Sequence, residues 1–319
     1  MQSLDEIGIK GFRRGDLTHR PYDSAKVEGT CSMGAIIAAG LLSHVPSIML
    51  PEEERRSRYG GWDTTFPRAL QDIFQERIQS ADFNTFLIFD THWFTTREFV
   101  VNTQEHLKGV YTSDELPSVI HDLGFDYRGD KALGEAIVQS AKNAGLRCEG
   151  ANYQGMPLHY PTLNLMHYLN PERRHRVLSI GICQTAPHER HLDFGAAIGR
   201  AIQESDRRVI ILAAGGLSHQ FWSYDEMAQH ASPNPQHIFN ETNRAYDEMI
   251  IDFLKQGNHA SVSEIVPEFR SKCSPEGFFA HYSMMIGVLG DKRCKVAAIQ
   301  YGDYESAIGT GQVMLWFPL

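Results

Sequence analysis

The sequence lacks an apolar run long enough to cross a bilayer, so we expect no membrane-spanning segment and no membrane partner. The N-terminus also lacks the charged, apolar and small-residue order of a signal peptide, which makes the cytoplasm the expected location. Basic residues are not in excess either. There are 39 acidic and 30 basic residues, a net charge of −9, and no basic stripe, which argues against a nucleic-acid partner.

Cysteine is sparse and irregularly spaced. The five cysteines are an odd number and form no CxxC pair, which argues against a disulfide scaffold or a thiolate zinc site. Hydrophobic residues make up 42% of the chain, enough for a sizeable core, so global disorder is excluded. With no internal repeat and no clear linker, the 319 residues predict a polar N-terminal extension, residues 1–32, and one catalytic domain, residues 33–319.

One apolar stretch, Asn84–Phe94 (NTFLIFDTHWF), organises the rest of the chain. It is too short for a helix and rich in β-forming residues, which predicts a buried strand of a parallel sheet. The apolar run ends abruptly at Asp90, Thr91 and His92. Because ligands bind beyond the carboxyl ends of strands in open α/β sheets, His92 is placed where chemistry is usually done.

Two other predicted strands end in the same way. Ala35–Leu42 continues into Ser43 and His44, and Val209–Ala214 continues through Gly-Gly-Leu-Ser into His219. We therefore expect the three histidines to meet over one edge of the sheet. The alternation of strands and helices predicts an α/β fold, with a central, mostly parallel sheet flanked by helices and an active site at the carboxyl ends of the strands.

The remaining patterns predict a long loop and the other helices and strands. A long loop is predicted over Tyr111–Asp130, and loops of this length inside a compact domain are usually functional. The other predicted elements are helices at Phe66–Ile78, Asp130–Asn143, Phe194–Gln203, Asn240–Gly257 and Ser274–Gly290, a helix entered at Pro161, and strands at Phe99–Val101, Val177–Cys183, Lys295–Gln300 and Gln312–Phe317.

The histidines have two interpretations each. Neutral imidazole suits iron, zinc, copper or nickel, and two histidines with one carboxylate form the facial triad of non-heme Fe(II) oxygenases. Alternatively, His44 and His92 each cap a strand through a hydrogen bond. His219 suits a general base because its unperturbed pKa, about 6.5, lies near working pH. Alternatively, His219 is an incidental histidine in a strand-to-loop turn. A nucleophilic Ser218 is disfavoured because no GxSxG elbow is present.

Five motifs together carry a family resemblance: SHVPS, FDTHWF, GVYTSDELP, GGLSHQ and the tail GTGQVMLWFPL. From about Met33 to Leu319 the chain resembles the class III extradiol ring-cleaving dioxygenases, the superfamily of the protocatechuate 4,5-dioxygenase β-subunit. Within this superfamily it resembles the homoprotocatechuate (3,4-dihydroxyphenylacetate) 2,3-dioxygenase branch. The resemblance implies an α/β fold and non-heme Fe(II), with Mn(II) or Zn(II) as lesser possibilities.

The resemblance also implies roles for individual residues. His44 and His92 would be the iron ligands, His219 the catalytic base and Glu276 the third ligand, with His281 an alternative ligand or a residue that supports the ligands from behind. His159 matches a family segment that supplies an acid–base or substrate-binding histidine, although the aspartate and glycine beside it are absent. Expected substrate-binding residues are Tyr111, Thr112, Ser113 and His281, and Arg97 is a guess for binding a substrate carboxylate.

The implied reaction cleaves a catechol, such as one resembling 3,4-dihydroxyphenylacetate, with O2 to give a muconic semialdehyde. The implied partners are the catechol, O2 and further copies of the chain in a homo-oligomer. Three rival functions stay open: a zinc-dependent hydrolase with the same ligands, a zinc-dependent extradiol-type enzyme acting on dihydroxyphenylalanine, and a non-catalytic subunit that needs a partner chain.

Overall fold

The structure, a computed structural model, describes residues 33–319. The predicted N-terminal extension, residues 1–32, lies outside the described residues, so its boundary stays a prediction. The strands of the described part are β1 (Ala35–Leu42), β2 (Thr85–Thr95), β3 (Phe99–Asn102), β4 (His106–Tyr111), β5 (Leu123–Arg128), β6 (Cys148–Ala151), β7 (Arg176–Cys183), β8 (Arg208–Ala214), β9 (Ile299–Ala307) and β10 (Thr310–Pro318). Eight of them form one sheet in the order β6-β3-β7-β2-β8-β1-β10-β9, and the other two form a separate hairpin, β4-β5.

The predicted mostly parallel sheet is confirmed. The four central strands, β7, β2, β8 and β1, pair in parallel, whereas β10 runs antiparallel to β1 and β9. The apolar stretches of β2 and β8 are buried on both faces, as expected for central parallel strands. Their carboxyl ends therefore open at one edge of the sheet, beside the end of β1.

Helices cover both faces of the sheet and create two separate cores. The helices of the described part are α1 (Glu52–Arg58), α2 (Phe66–Ile73), α3 (Lys131–Asn143), α4 (Tyr160–Leu169), α5 (His188–Gln203), α6 (Glu241–Lys255), α7 (His259–Cys273) and α8 (Ala280–Val288). One core contains apolar residues of α3, α5, α6, α7 and α8, and the other contains residues of α2, α4 and the β4-β5 hairpin. Within residues 33–319, no helix combines the length and the apolarity that a membrane crossing requires.

Three predicted elements are wrong. The predicted loop Tyr111–Asp130 contains β5, which pairs with β4, so the loop shrinks to residues 112–122. The predicted helix from Ser274 is interrupted by a short turn, Glu276–Phe279, before α8 begins. The predicted strand Lys295–Gln300 starts too early, because pairing with β10 begins at Ile299.

Candidate metal centre

His44 lies just beyond the carboxyl end of β1, where its backbone is held from two sides. Ser43 Oγ accepts a hydrogen bond from the Val313 backbone N–H at 2.9 Å, and Asn164 Nδ2 donates to the His44 carbonyl at 2.9 Å. The His44 side chain is buried. Anchoring by β10 and α4 therefore fixes the direction in which the imidazole leaves the strand.

His92 lies in a bulge of β2 and not beyond its end. Asp90 pairs with Gly181 of β7 and Phe94 pairs with the next residue of β7, so residues 91–93 have no counterpart on that strand. The Asp90 carboxylate accepts hydrogen bonds from the His92 backbone N–H at 3.0 Å and from Thr162 Oγ1 at 2.6 Å. Asp90 therefore stabilises the backbone of the bulge and connects it to the first turn of α4.

Glu276 enters the site from a left-handed turn. Gly277, Phe278 and Phe279 have φ of 53°, 58° and 55°, a conformation that costs a non-glycine residue about 1–2 kcal/mol. The Glu276 carboxylate accepts hydrogen bonds from Thr91 Oγ1 at 2.7 Å and from the Gly216 backbone N–H at 2.5 Å. The strained turn and both bonds direct the side chain towards the histidines, a placement typical of functional sites.

His44, His92 and Glu276 converge at the edge of the sheet. Glu276 Oε1 lies 3.2 Å from His44 Nε2 and 3.8 Å from His92 Nε2. One ligand atom from each of the three residues lies within 4.8 Å of the others. Two imidazoles and one carboxylate are the donors of a facial triad that leaves coordination positions open.

The protonation states of this cluster suit a cation. Burial and the neighbouring His44 lower the pKa of His92 to about 4. Burial alone would raise the pKa of Glu276, but His44 and the other nearby histidines hold it well below its usual value. An ionised, buried carboxylate needs a positive charge beside it. A divalent metal supplies that charge and binds neutral imidazole and ionised carboxylate, so this set of donors fits a metal ion.

The loop that follows β8 carries His219 to the same place. His219 donates its backbone N–H to the Cys273 carbonyl at 3.2 Å, and burial lowers the pKa of its side chain. Ser218 Oγ donates to Asp247 Oδ2 at 2.6 Å and Ser218 N–H donates to Asp247 Oδ1 at 2.9 Å. The Ser218 hydroxyl is thus committed to Asp247, which argues further against a nucleophilic Ser218.

Two residues beside His92 were not found by sequence reasoning. Tyr160 Oη lies 2.8 Å from His92 Nε2, and its ring packs against His92 and His44 with centroid distances of 4.3 and 5.4 Å. Glu115 Oε2 lies 3.5 Å from both His92 Nδ1 and Tyr160 Oη. Burial raises the pKa of Tyr160, which keeps its hydroxyl protonated.

Two other predicted site histidines lie outside the ligand cluster. His159 is the residue before α4, and its ring faces Tyr111 with a centroid distance of 6.3 Å. His281 is fully buried, and burial lowers its pKa to about 4. A Cβ on Gly215 would lie 2.7 Å from His281 Nε2, so this imidazole packs directly beneath the glycine turn. His281 is therefore enclosed by protein and has no surface open to solvent.

The predicted substrate-binding residues Tyr111, Thr112 and Ser113 lie at the start of the 112–122 loop. Thr112 Oγ1 accepts a hydrogen bond from the Asp122 N–H at 3.1 Å, and Ser113 Oγ accepts one from the Leu116 N–H at 3.0 Å. These bonds close the loop on itself and hold it in shape. Arg97 lines a different cleft of about 320 Å³, together with Arg147 and Arg190.

The fold and the cluster together define an α/β protein with a candidate metal site at the carboxyl ends of its strands. Comparison with known proteins identifies the family. The sequence model of the catalytic LigB subunit of aromatic ring-opening dioxygenase matches residues 38–315. The chain therefore belongs to the LigB family and is an extradiol ring-cleavage dioxygenase.

Several relatives carry specific names. The chain is 31% identical over 262 residues to 3,4-dihydroxyphenylacetate 2,3-dioxygenase of Escherichia coli, covering 81% of this chain and 91% of that protein. It is 24% identical to the 2-aminophenol 1,6-dioxygenase beta subunit of a Pseudomonas species, covering 88% of this chain and 93% of that one. A crystal structure of an uncharacterized Escherichia coli K12 protein shares the fold, with a TM-score of 0.60, 14% identity, and coverage of 88% of this chain and 99% of that chain.

Proposed function

We propose that this chain is an Fe(II)-dependent extradiol dioxygenase that opens the ring of a catechol with O2 to give a muconic semialdehyde. The convergence of His44, His92 and Glu276 is the observation that carries the proposal. The name of the Escherichia coli relative supports a substrate resembling 3,4-dihydroxyphenylacetate. When bound, Fe(II) would orient the catechol and O2 and stabilise the charge that develops during the reaction.

His219 acts as the base in this proposal. Burial lowers its pKa, so the imidazole is neutral at pH 7 and free to accept a proton from a catechol hydroxyl. The loop that carries it is tied to β10, where Leu217 N–H donates to the Gly311 carbonyl at 2.8 Å. His219 thus holds the proton close to the ligand cluster and returns it as the ring opens.

His159 has the second acid–base or substrate-binding role in the proposal. Its ring faces that of Tyr111, the residue that precedes the 112–122 loop. Tyr111, Thr112 and Ser113 would then contact the substrate from this loop. His281, which is fully buried, would act by supporting the Gly215 turn beneath the ligands.

A zinc-dependent enzyme is the second candidate. Two imidazoles and a carboxylate also suit Zn(II), and the same cluster would then serve a hydrolase or a zinc extradiol-type enzyme. Mn(II) is a further alternative because carboxylate ligands suit it.

Metal reconstitution separates these candidates. Protein stripped of metal is loaded anaerobically with Fe(II), Mn(II) or Zn(II), and O2 uptake is followed with a panel of substituted catechols. We expect the single purified chain, loaded with Fe(II), to take up O2 in proportion to the catechol consumed and to form a yellow product. Activity with Zn(II) alone, or hydrolysis without O2 uptake, would overturn it.

We also propose a cytoplasmic homo-oligomer. Support for assembly comes from relatives named as the alpha and beta subunits of 2-aminophenol 1,6-dioxygenase. Light scattering on the purified full chain would give the mass of the assembly, and a mass equal to one chain would refute an oligomer. Fractionation of the producing cells would test the location.

A further inference from the structure

The Tyr160 hydroxyl occupies a position that metal binding must disturb. It lies 2.8 Å from His92 Nε2, the same nitrogen that faces Glu276 Oε1 at 3.8 Å. When this nitrogen coordinates a metal, its lone pair no longer accepts a hydrogen bond. The Tyr160 hydroxyl then needs another acceptor, because an unpaired buried hydroxyl costs about 1–3 kcal/mol.

Glu115 is a neighbouring acceptor but a poor one. Its Oε2 lies 3.5 Å from Tyr160 Oη, beyond the usual length of an O–H···O bond. The Glu115 side chain is half exposed and belongs to the 112–122 loop, so water shares its carboxylate. Metal binding thus leaves the Tyr160 hydroxyl next to the metal ligands without a strong hydrogen-bond acceptor.

The Tyr160 ring cannot swing away to find that acceptor elsewhere. Tyr160 is buried, it begins α4, and its ring packs against both proposed histidine ligands. The next turn is tied to the metal strand, because Thr162 N–H and Oγ1 both donate to Asp90 Oδ2, at 3.2 and 2.6 Å. A donor held in this way is preorganised for whatever oxygen occupies the open coordination positions.

We propose that Tyr160 is a further catalytic residue, whose hydroxyl donates a hydrogen bond to the catechol oxygen nearest His92. The inference rests on the proposed catechol function. It assigns the hydrogen-bond donor on the His92 side of the site to Tyr160. The role of Tyr160 differs from that of His159, the residue before it.

The test compares Tyr160→Phe with the wild type, using Tyr224→Phe as the matched control because Tyr224 is 91% exposed. Three quantities are measured: the Fe(II) stoichiometry of the reconstituted protein, the anaerobic Kd for 4-methylcatechol from the absorbance change of the bound catechol, and kcat from O2 uptake. For Tyr160→Phe we expect full Fe(II) loading and a Kd about tenfold higher, which corresponds to about 1.4 kcal/mol. We also expect a lower kcat.

Metal binding by the apoprotein gives a readout that is independent of turnover. Removing the hydroxyl frees His92 Nε2, so Tyr160→Phe should bind Fe(II) at least as tightly as the wild type. Glu115→Gln keeps the shape of this weak acceptor and leaves the phenol in place, so it should change the catechol Kd by less than Tyr160→Phe does.

Two results would overturn the inference. One is a Tyr160→Phe protein with the wild-type Kd and kcat, which would make the phenol only a space-filling neighbour of His92. The other is loss of Fe(II) with an unchanged catechol Kd per loaded site, which would make it a support for the metal ligands. Failure of the wild type to open catechols would instead refute the proposed function, so the two failures are distinguishable.

Discussion

Two groups of buried histidines in this chain differ in where their nitrogens point. His259 is fully buried at the start of α7, and its Nδ1 and Nε2 are paired with Tyr282 Oη at 3.0 Å and the Val296 carbonyl at 2.9 Å. His44 is also buried, but its Nδ1 has no hydrogen-bond partner in the described part of the chain and its Nε2 faces Glu276. Burial is common to both groups. Convergence on a shared carboxylate distinguishes the proposed ligands from structural histidines.

Replacing a proposed ligand should have the largest effect. His92→Ala should lose most of the bound Fe(II) and lower kcat by more than ~100-fold, beyond the 10–100-fold typical of losing an outer-shell partner. The metal content of reconstituted protein, measured by elemental analysis alongside kcat, checks this. His259→Gln is the control and should keep its Fe(II). If both variants retained the metal, the distinction between the two groups would be refuted.

Removing the proposed base should affect turnover alone. His219→Ala should lower kcat by about 10²–10⁴-fold, the usual contribution of a general base, because the proton of the catechol then has no nearby acceptor. The Fe(II) content should match the wild type. A variant that loses iron but retains turnover per bound ion would reverse the roles of His219 and His92.

Replacing a paired histidine should reduce stability without changing chemistry. His259→Phe leaves the Tyr282 hydroxyl and the Val296 carbonyl without their partner, at about 1–3 kcal/mol for a buried group. Urea unfolding measures this loss in the free energy of unfolding. The kcat per bound Fe(II) should be unchanged, and a large fall in it would connect His259 to the site.

The smallest effect concerns acid stability. Burial lowers the pKa of His191 to about 3 in the folded protein, below its unfolded value of 6.5. Below pH 6.5 the unfolded chain therefore binds more protons at His191 than the folded protein does. The free energy of unfolding falls as the pH falls, by at most about 1.4 kcal/mol per pH unit. Urea unfolding at pH 7, 6 and 5 should show a weaker pH dependence in His191→Phe. An identical dependence in both proteins would contradict this origin.

The strands that position the site could be predicted because their signal is local. The apolar runs of β1, β2 and β8 end in polar residues within the sequence itself, which is why His44, His92 and His219 were expected at one edge. The bulge at residues 91–93 was not predictable, because it depends on pairing with β7. Helix α7 was missed as well, and Pro267 inside it interrupts the helical pattern.

The neighbours of the ligands could not be predicted, because their positions depend on tertiary packing. Tyr160 reaches His92 only because α4 packs beside the bulge of β2, and the family resemblance pointed to His159 instead. Glu115 lies in a loop whose ends are set by the β4-β5 hairpin. Charged and glycine residues within Leu123–Arg128 obscured β5, and the left-handed turn after Glu276 resembled the start of a helix.

The most direct test of the metal centre is anomalous X-ray scattering at the iron edge from crystals loaded anaerobically with Fe(II). Our account predicts one peak per chain, coordinated by His44, His92 and Glu276, and no iron at His259. A peak elsewhere in the chain, or no ordered iron between these three residues in a protein that consumes O2 with catechols, would contradict it.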